Sequence, residues 1–147
     1  MEKESFADEM KRFLPKVNSV DVRTIAPLSL AYIGDSVMDI MVRTYFATST
    51  HETVSHLNDR AIKIVNAAGQ AAFLAVLEDE LTDEEKDVVR RGRNAKGQTS
   101  PRNQSINDYR LATGFEALLG YLFITGRTER ICELFSKAEP LFAGKAE

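Results

Sequence analysis

The sequence predicts an all-α fold, a helical bundle without a sheet, on three observations. Apolar residues recur every three or four positions through each long segment. No segment alternates polar and apolar residues with a period of two, and no Asn-Gly or similar hairpin turn separates β-branched runs. The segment ends carry helix punctuation: prolines, a Thr-x-x-Glu box and a Ser-x-x-Asp start. At 147 residues the chain is read as one domain over 1–147, long enough to bury a sizeable core.

In chain order, Phe6, Met10, Phe13 and Leu14 place a first helix over 3–14, stopped by Pro15. Pro27 suits the first turn of a second helix running to about Ala47. Val54, Leu57, Ala61, Ile64, Ala68, Ala71 and Ala75 predict one amphipathic helix over 54–77, with Arg60, Lys63 and Gln70 facing outward. Thr82 and Glu85 form a capping box that opens a short helix. Asp83 and Glu84 lie at its positive end, Arg90 and Arg91 at its negative end, and Gly92 closes it. Residues 93–104 read as a loop. Ser105 with Asp108 starts a helix that runs to Gly126, and a last helix over 127–138 ends before Pro140.

Composition narrows the function classes. The N-terminus, MEKESFADEMKRF, is too polar for a secretory signal, and the most apolar run, Phe115–Ile124, is too short to span a bilayer and holds Glu116. A single cysteine, Cys132, forms no internal disulfide; it is read as a small core residue in a cytoplasmic, reduced protein with no membrane partner. His51 and His56 do not share a helical face and are read as surface residues.

The net charge of −3 conceals an asymmetry. Residues 90–110 hold Arg90, Arg91, Arg93, Lys96, Arg102 and Arg110 against one acid, Asp108, a local charge of +5 that leaves −8 on the rest. Arg90, Arg91, Arg93, Asn94, Lys96 and Arg102 are the candidate nucleic-acid contacts, because guanidinium forks and exposed backbone N–H groups both hold phosphate oxygens. The segment's one aromatic residue is Tyr109, so base stacking on a single strand is not indicated, and a duplex held by its backbone fits better. A solvated loop balancing acidic neighbours is the structural alternative.

The sharpest clue is a pair of isolated acids. Asp35 is the sole charged residue between Thr24 and Met38, and Glu116 the sole one between Leu111 and Thr125. Both stretches are apolar enough to be buried, and buried carboxylates are rare unless paired or bound to a metal. Small residues surround each: Ala31, Gly34 and Ser36 near Asp35; Ala112, Thr113, Ala117 and Gly120 near Glu116. Two such faces meeting would bring the acids together. Hard oxygen donors without His or Cys favour Mg²⁺, with Mn²⁺ as its substitute. By pattern alone, a metal site and a buried ion pair with arginine stand about equal. Asp39, one turn beyond Asp35, is read as solvated.

LAYIGDSVMD (30–39) resembles the signature of the ribonuclease III family, and LATGFEALLGYLF (111–123) resembles its second motif. VRRGRNAK (89–96) followed by the run from Tyr109 to Leu118 is similar to the short bacterial branch, mini-ribonuclease III. The resemblance covers about 20–135. It implies an all-helical, homodimeric endonuclease acting on double-stranded RNA with Mg²⁺, with Asp35 and Glu116 as catalytic metal ligands. In that branch the implied substrate is precursor large-subunit (23S) ribosomal RNA, with ribosomal proteins on the precursor as candidate partners. Two family acids are replaced, by Ala31 and Thr113, and no separate double-stranded-RNA-binding domain is expected, which leaves affinity to the basic segment. The rival readings are a non-catalytic duplex-RNA-binding ribosome-assembly factor and a helical nucleotide hydrolase.

Overall fold

A computed structural model describes residues 9–10, 12–98 and 105–143. The helix expected over 3–14 falls largely outside these residues, as does Arg102. After short 3₁₀ turns at Pro15–Asn18 and Val22–Thr24, seven α-helices follow among the described residues: α1 Pro27–Ser49, α2 Val54–Val65, α3 Ala67–Leu77, α4 Asp83–Arg93, α5 Ile106–Ile124, α6 Thr128–Lys137 and α7 Pro140–Ala143. A further 3₁₀ turn, Glu78–Glu80, joins α3 to the loop before α4. No strand occurs among the described residues.

The local signals explain most boundaries. Pro27 opens α1, where its missing N–H costs nothing. Both hydrogen bonds of the Thr82–Glu85 box form, at 3.1 and 2.9 Å. Glu85 is nevertheless buried, because Arg130 of α6 closes on both its carboxylate oxygens at 2.8 Å and also reaches the Glu80 carbonyl. That buried, fully bonded pair pins α6 to the start of α4. Ser105 caps α5 by accepting the Asp108 N–H.

The single helix expected over 54–77 is instead two, bent by 57°. Asn66 is extended and serves both ends: its N–H donates to the Ile62 carbonyl, and its side chain accepts the Gly69 N–H at 2.7 Å. An Asn with this capping geometry overrides the continuous alanine pattern. Pro140 likewise opens α7 rather than only ending α6, Gly92 lies inside α4, and Cys132 is exposed on the outer face of α6 rather than in the core.

α5 is the axle of the bundle. Phe115, Leu118, Leu119 and Leu122 are fully buried against Met38 and Val42 of α1, Phe73 and Leu77 of α3, and Ile131 and Leu134 of α6. Phe73 stacks on Phe115 at 4.8 Å and edges onto Phe135 at 4.9 Å. Burying each such side chain is worth about 1.5–3 kcal/mol.

The helices approach closely through glycine. A Cβ on Gly34 would lie 1.7 Å from the Glu116 carbonyl oxygen, and one on Gly120 would lie 2.0 Å from the Leu30 carbonyl oxygen. α4 packs the same way: a Cβ on Gly92 would meet that of Ala117 at 2.8 Å. At Gly34 and Gly120 the collisions are with backbone carbonyls, which no rotamer change relieves. Gly34→Ala should therefore destabilise the fold by about 3 kcal/mol or more in urea unfolding; a loss under 1 kcal/mol would show that α1 and α5 part easily.

Candidate active site

Asp35 and Glu116 are brought together by that glycine contact. Gly34 packs on the backbone of Glu116 itself, so the neighbouring Asp35 carboxyl lines the same cleft as the Glu116 carboxyl and acts on it electrostatically. Neither is locked to an arginine among the described residues. Glu116 Oε2 accepts instead from Gln70 Nε2 at 3.2 Å.

Burial pushes the Glu116 carboxyl up to about 8, with the Asp35 carboxyl adding to the rise and the Gln70 amide partly opposing it. Two bare carboxylates about 5 Å apart repel by roughly 3 kcal/mol at an effective dielectric near 20, so one of them keeps a proton unless a cation intervenes. Asp39, expected to be solvated, is half-buried. Its carboxyl is raised by burial and by the charge of Asp35, with Arg43 partly offsetting both.

The acids line an open cleft of about 370 Å³ with Leu28, Ala31, Tyr32, Gly97, Gln98, Tyr109 and Thr113. Ala31 and Thr113 are in place but supply no acid, and the Thr113 hydroxyl is engaged with the Tyr109 carbonyl at 2.9 Å. Among the described residues no group of three His, Cys, Asp or Glu side chains is arranged to hold a metal. Two carboxylates still suit Mg²⁺, which commonly takes one or two protein carboxylates and keeps several waters.

Asp35 is exposed, not buried as expected, and Glu116 is half-buried. The otherwise uncharged stretch 24–38 holds two faces, not one: Leu30, Gly34, Val37 and Met38 turn inward, while Tyr32 lies 82% exposed on the outer face with Asp35. Gln70 departs in the opposite sense. It was expected outside and is 2% exposed, because the break at Asn66 resets which face of α3 turns inward.

The basic segment divides. Arg90, Arg91 and Arg93 belong to the last turn of α4, Asn94 is its C-cap, and Lys96 lies in the loop. Arg90 pairs with Asp87. Arg91, Arg93 and Lys96 form no ion pair with any described residue. The loop is tethered by Gln98, whose amide donates to the carbonyls of Gly92, Arg93 and Ala95 at 3.0–3.1 Å. Gln98 and Gly97 thereby place this segment on the rim of the acid cleft, a role that no motif or periodicity announces.

Both crossing helices and the basic turn lie within the span 28–127 that matches the family model of the ribonuclease III domain, so the class is that of ribonuclease III-type endoribonucleases. The chain is 44% identical over 110 residues to mini-ribonuclease 3 of a Thermoanaerobacter species, covering 75% of this chain and 78% of that one. It is 38% identical over 118 residues to mini-ribonuclease 3 of Staphylococcus aureus, covering 79% and 88%. A crystal structure of a Fusobacterium nucleatum protein superposes with a TM-score of 0.72 at 27% identity, over 79% of this chain and 93% of that one. The chain belongs to the ribonuclease III family, in its mini-ribonuclease 3 branch.

The raised Glu116 carboxyl fixes the sign of a pH effect. Metal-free folded protein keeps this proton up to about pH 8, whereas the unfolded chain loses it near 4.5. Stability from this group is complete below the unfolded value and is lost as pH rises through the folded one. In EDTA, wild type should lose on the order of 4 kcal/mol relative to Glu116→Gln between pH 5 and 9, read by urea unfolding. Parallel stability curves for the two proteins would contradict the shift.

Proposed function

We propose that the protein is a Mg²⁺-dependent endoribonuclease that hydrolyses phosphodiester bonds of double-stranded RNA, with Mn²⁺ able to replace Mg²⁺. The observation that carries this reading is that Asp35 and Glu116 line one open cleft at the α1–α5 crossing, with Gly97 and Gln98 of the loop after the basic end of α4 on its wall. Asp35 and Glu116 would hold the ion, which when bound supplies Lewis-acid polarisation of the phosphate and a water of lowered pKa. Asp35 is exposed on the cleft wall. Glu116, half-buried, is the ligand whose proton must leave first. Arg91, Arg93 and Lys96 hold flanking phosphates by charge and hydrogen bonds.

The working form is a homodimer. Tyr32 is 82% exposed on α1 one turn before Asp35, and a second copy covering it would set two clefts side by side along one duplex. The branch resemblance supports precursor 23S ribosomal RNA as the substrate, cut in the cytoplasm, with ribosomal proteins on the precursor as further partners.

Asp35→Asn should keep the fold and duplex binding but cut at least 10²-fold more slowly, a size typical of a lost electrostatic stabiliser. The assay compares duplex RNA, single-stranded RNA and a nucleoside triphosphate, each in Mg²⁺ and in EDTA. Cutting at wild-type speed by the variant removes Asp35 from the chemistry. Binding without Mg²⁺-dependent cutting favours an assembly factor, and turnover of the triphosphate alone favours a nucleotide hydrolase.

Neutralising Arg91, Arg93 and Lys96 together should weaken duplex binding and flatten the slope of log K against log salt by about 2–3. A slope equal to that of wild type takes these residues out of the interface.

A further inference from the structure

The described core buries three polar side chains, Gln70, Glu85 and Thr113. Two have complete structural roles. Glu85 closes a capping box and an arginine pair, and Thr113 bonds back to its own helix. Gln70 does not close in this way. Its Nε2 donates to the Val65 carbonyl at 2.8 Å and to Glu116 Oε2 at 3.2 Å, while its Oε1 has no partner among the described residues. The Val65 carbonyl can only accept, which fixes the NH₂ end toward it and toward Glu116. An unpaired buried carbonyl destabilises a fold, and a leucine of similar size would avoid it. Stability alone does not account for glutamine here.

We infer that Gln70 is a positioning residue for the cleavage reaction, orienting the Glu116 carboxylate from the opposite helix. The inference rests on Asp35 and Glu116 being the metal-holding pair. Asp35 repels Glu116, and Glu116 has free torsions by which to swing away. A donor on one carboxylate oxygen fixes the plane of the group against that repulsion. The donor is neutral, so it orients the acid without competing for its charge, as a lysine or arginine would. The Val65 bond adds rigidity. That carbonyl is among those left open at the end of α2, so a single amide ties Glu116 to the bend between α2 and α3. Partners of this kind behind a ligand set its direction, and their loss typically lowers metal affinity or activity 10–100-fold.

The test uses full-length Gln70→Met, which keeps length and removes the amide, beside Gln70→Ala, Glu116→Gln and wild type. Mn²⁺ binding to the protein alone is read by electron paramagnetic resonance, and kcat and KM are measured on duplex RNA with Mg²⁺. Gln70→Met should bind Mn²⁺ about 10–100-fold more weakly and lose kcat by a similar factor, with KM for duplex RNA within twofold of wild type. Unchanged Mn²⁺ binding and kcat in folded variant protein overturn the inference, as does a lowered melting temperature with both unchanged. If Gln70→Met does not fold, Gln70→Ala is read against the same outcomes. Wild-type protein gives an independent reading: the Gln70 side-chain amide resonances should move with Mg²⁺ at the midpoint of metal binding, and resonances that stay fixed overturn the inference. Wild type that neither binds Mn²⁺ nor cuts with Mg²⁺ defeats the underlying metal reading instead, a result separate from any behaviour of the Gln70 variants.

Discussion

The near-contact of two helix backbones, α1 against α5 at Gly34 and Gly120, governs the rest of the molecule. Helices with ordinary side chains at a contact keep their axes about 8–10 Å apart. Here a methyl group on Gly34 or Gly120 would strike a carbonyl of the other helix. Glycine within a helix is itself unfavourable by about 0.5–1 kcal/mol relative to alanine. The gain is burial of α5 on nearly every side, with Phe115, Leu118, Leu119 and Leu122 sealed between α1, α3 and α6. α4 follows the same rule, laying Gly92 against Gly114 and Ala117 and thereby carrying its basic last turn to the same region.

That crossing imposes an electrostatic cost on the same spot. The residue after Gly34 and the residue under it are both acids, so this close backbone approach is also where like charges meet. Elsewhere the fold resolves its buried charge internally, as with Glu85 between Thr82 and Arg130. At Glu116 it does not: the partners are an amide and another carboxylate, and the carboxyl retains its proton far above the usual range. A stable fold that leaves one charge conflict open, at the wall of an accessible cleft, has the form expected of a site completed by a cation.

Two side-chain amides organise the surroundings of that conflict. Gln98 gathers three carbonyls at the end of α4 and so sets the basic loop on the cleft rim. Gln70 joins Glu116 to the break between α2 and α3. Both work through backbone carbonyls left open where helices end, which is how helix boundaries far apart in the chain come to shape one cleft.

Much was legible from residue order alone. Helical periodicity, the proline and Thr82–Glu85 signals, the small residues around two lone acids and the clustering of cations are all local patterns, and local patterns determine helices and which of their faces can pack closely. They also carried the family resemblance. What residue order left open was phase and partnership. A run of alanines reads as one helix until Asn66 caps a second one, and that reset turns Gln70 from solvent to core. An uncharged stretch does not say which of its faces is covered, so Asp35 proved exposed and Cys132 lay outside the core. These outcomes depend on which surfaces meet across some eighty residues of chain, and only the packed tertiary structure decides that, because burial is a property of neighbours and not of sequence position.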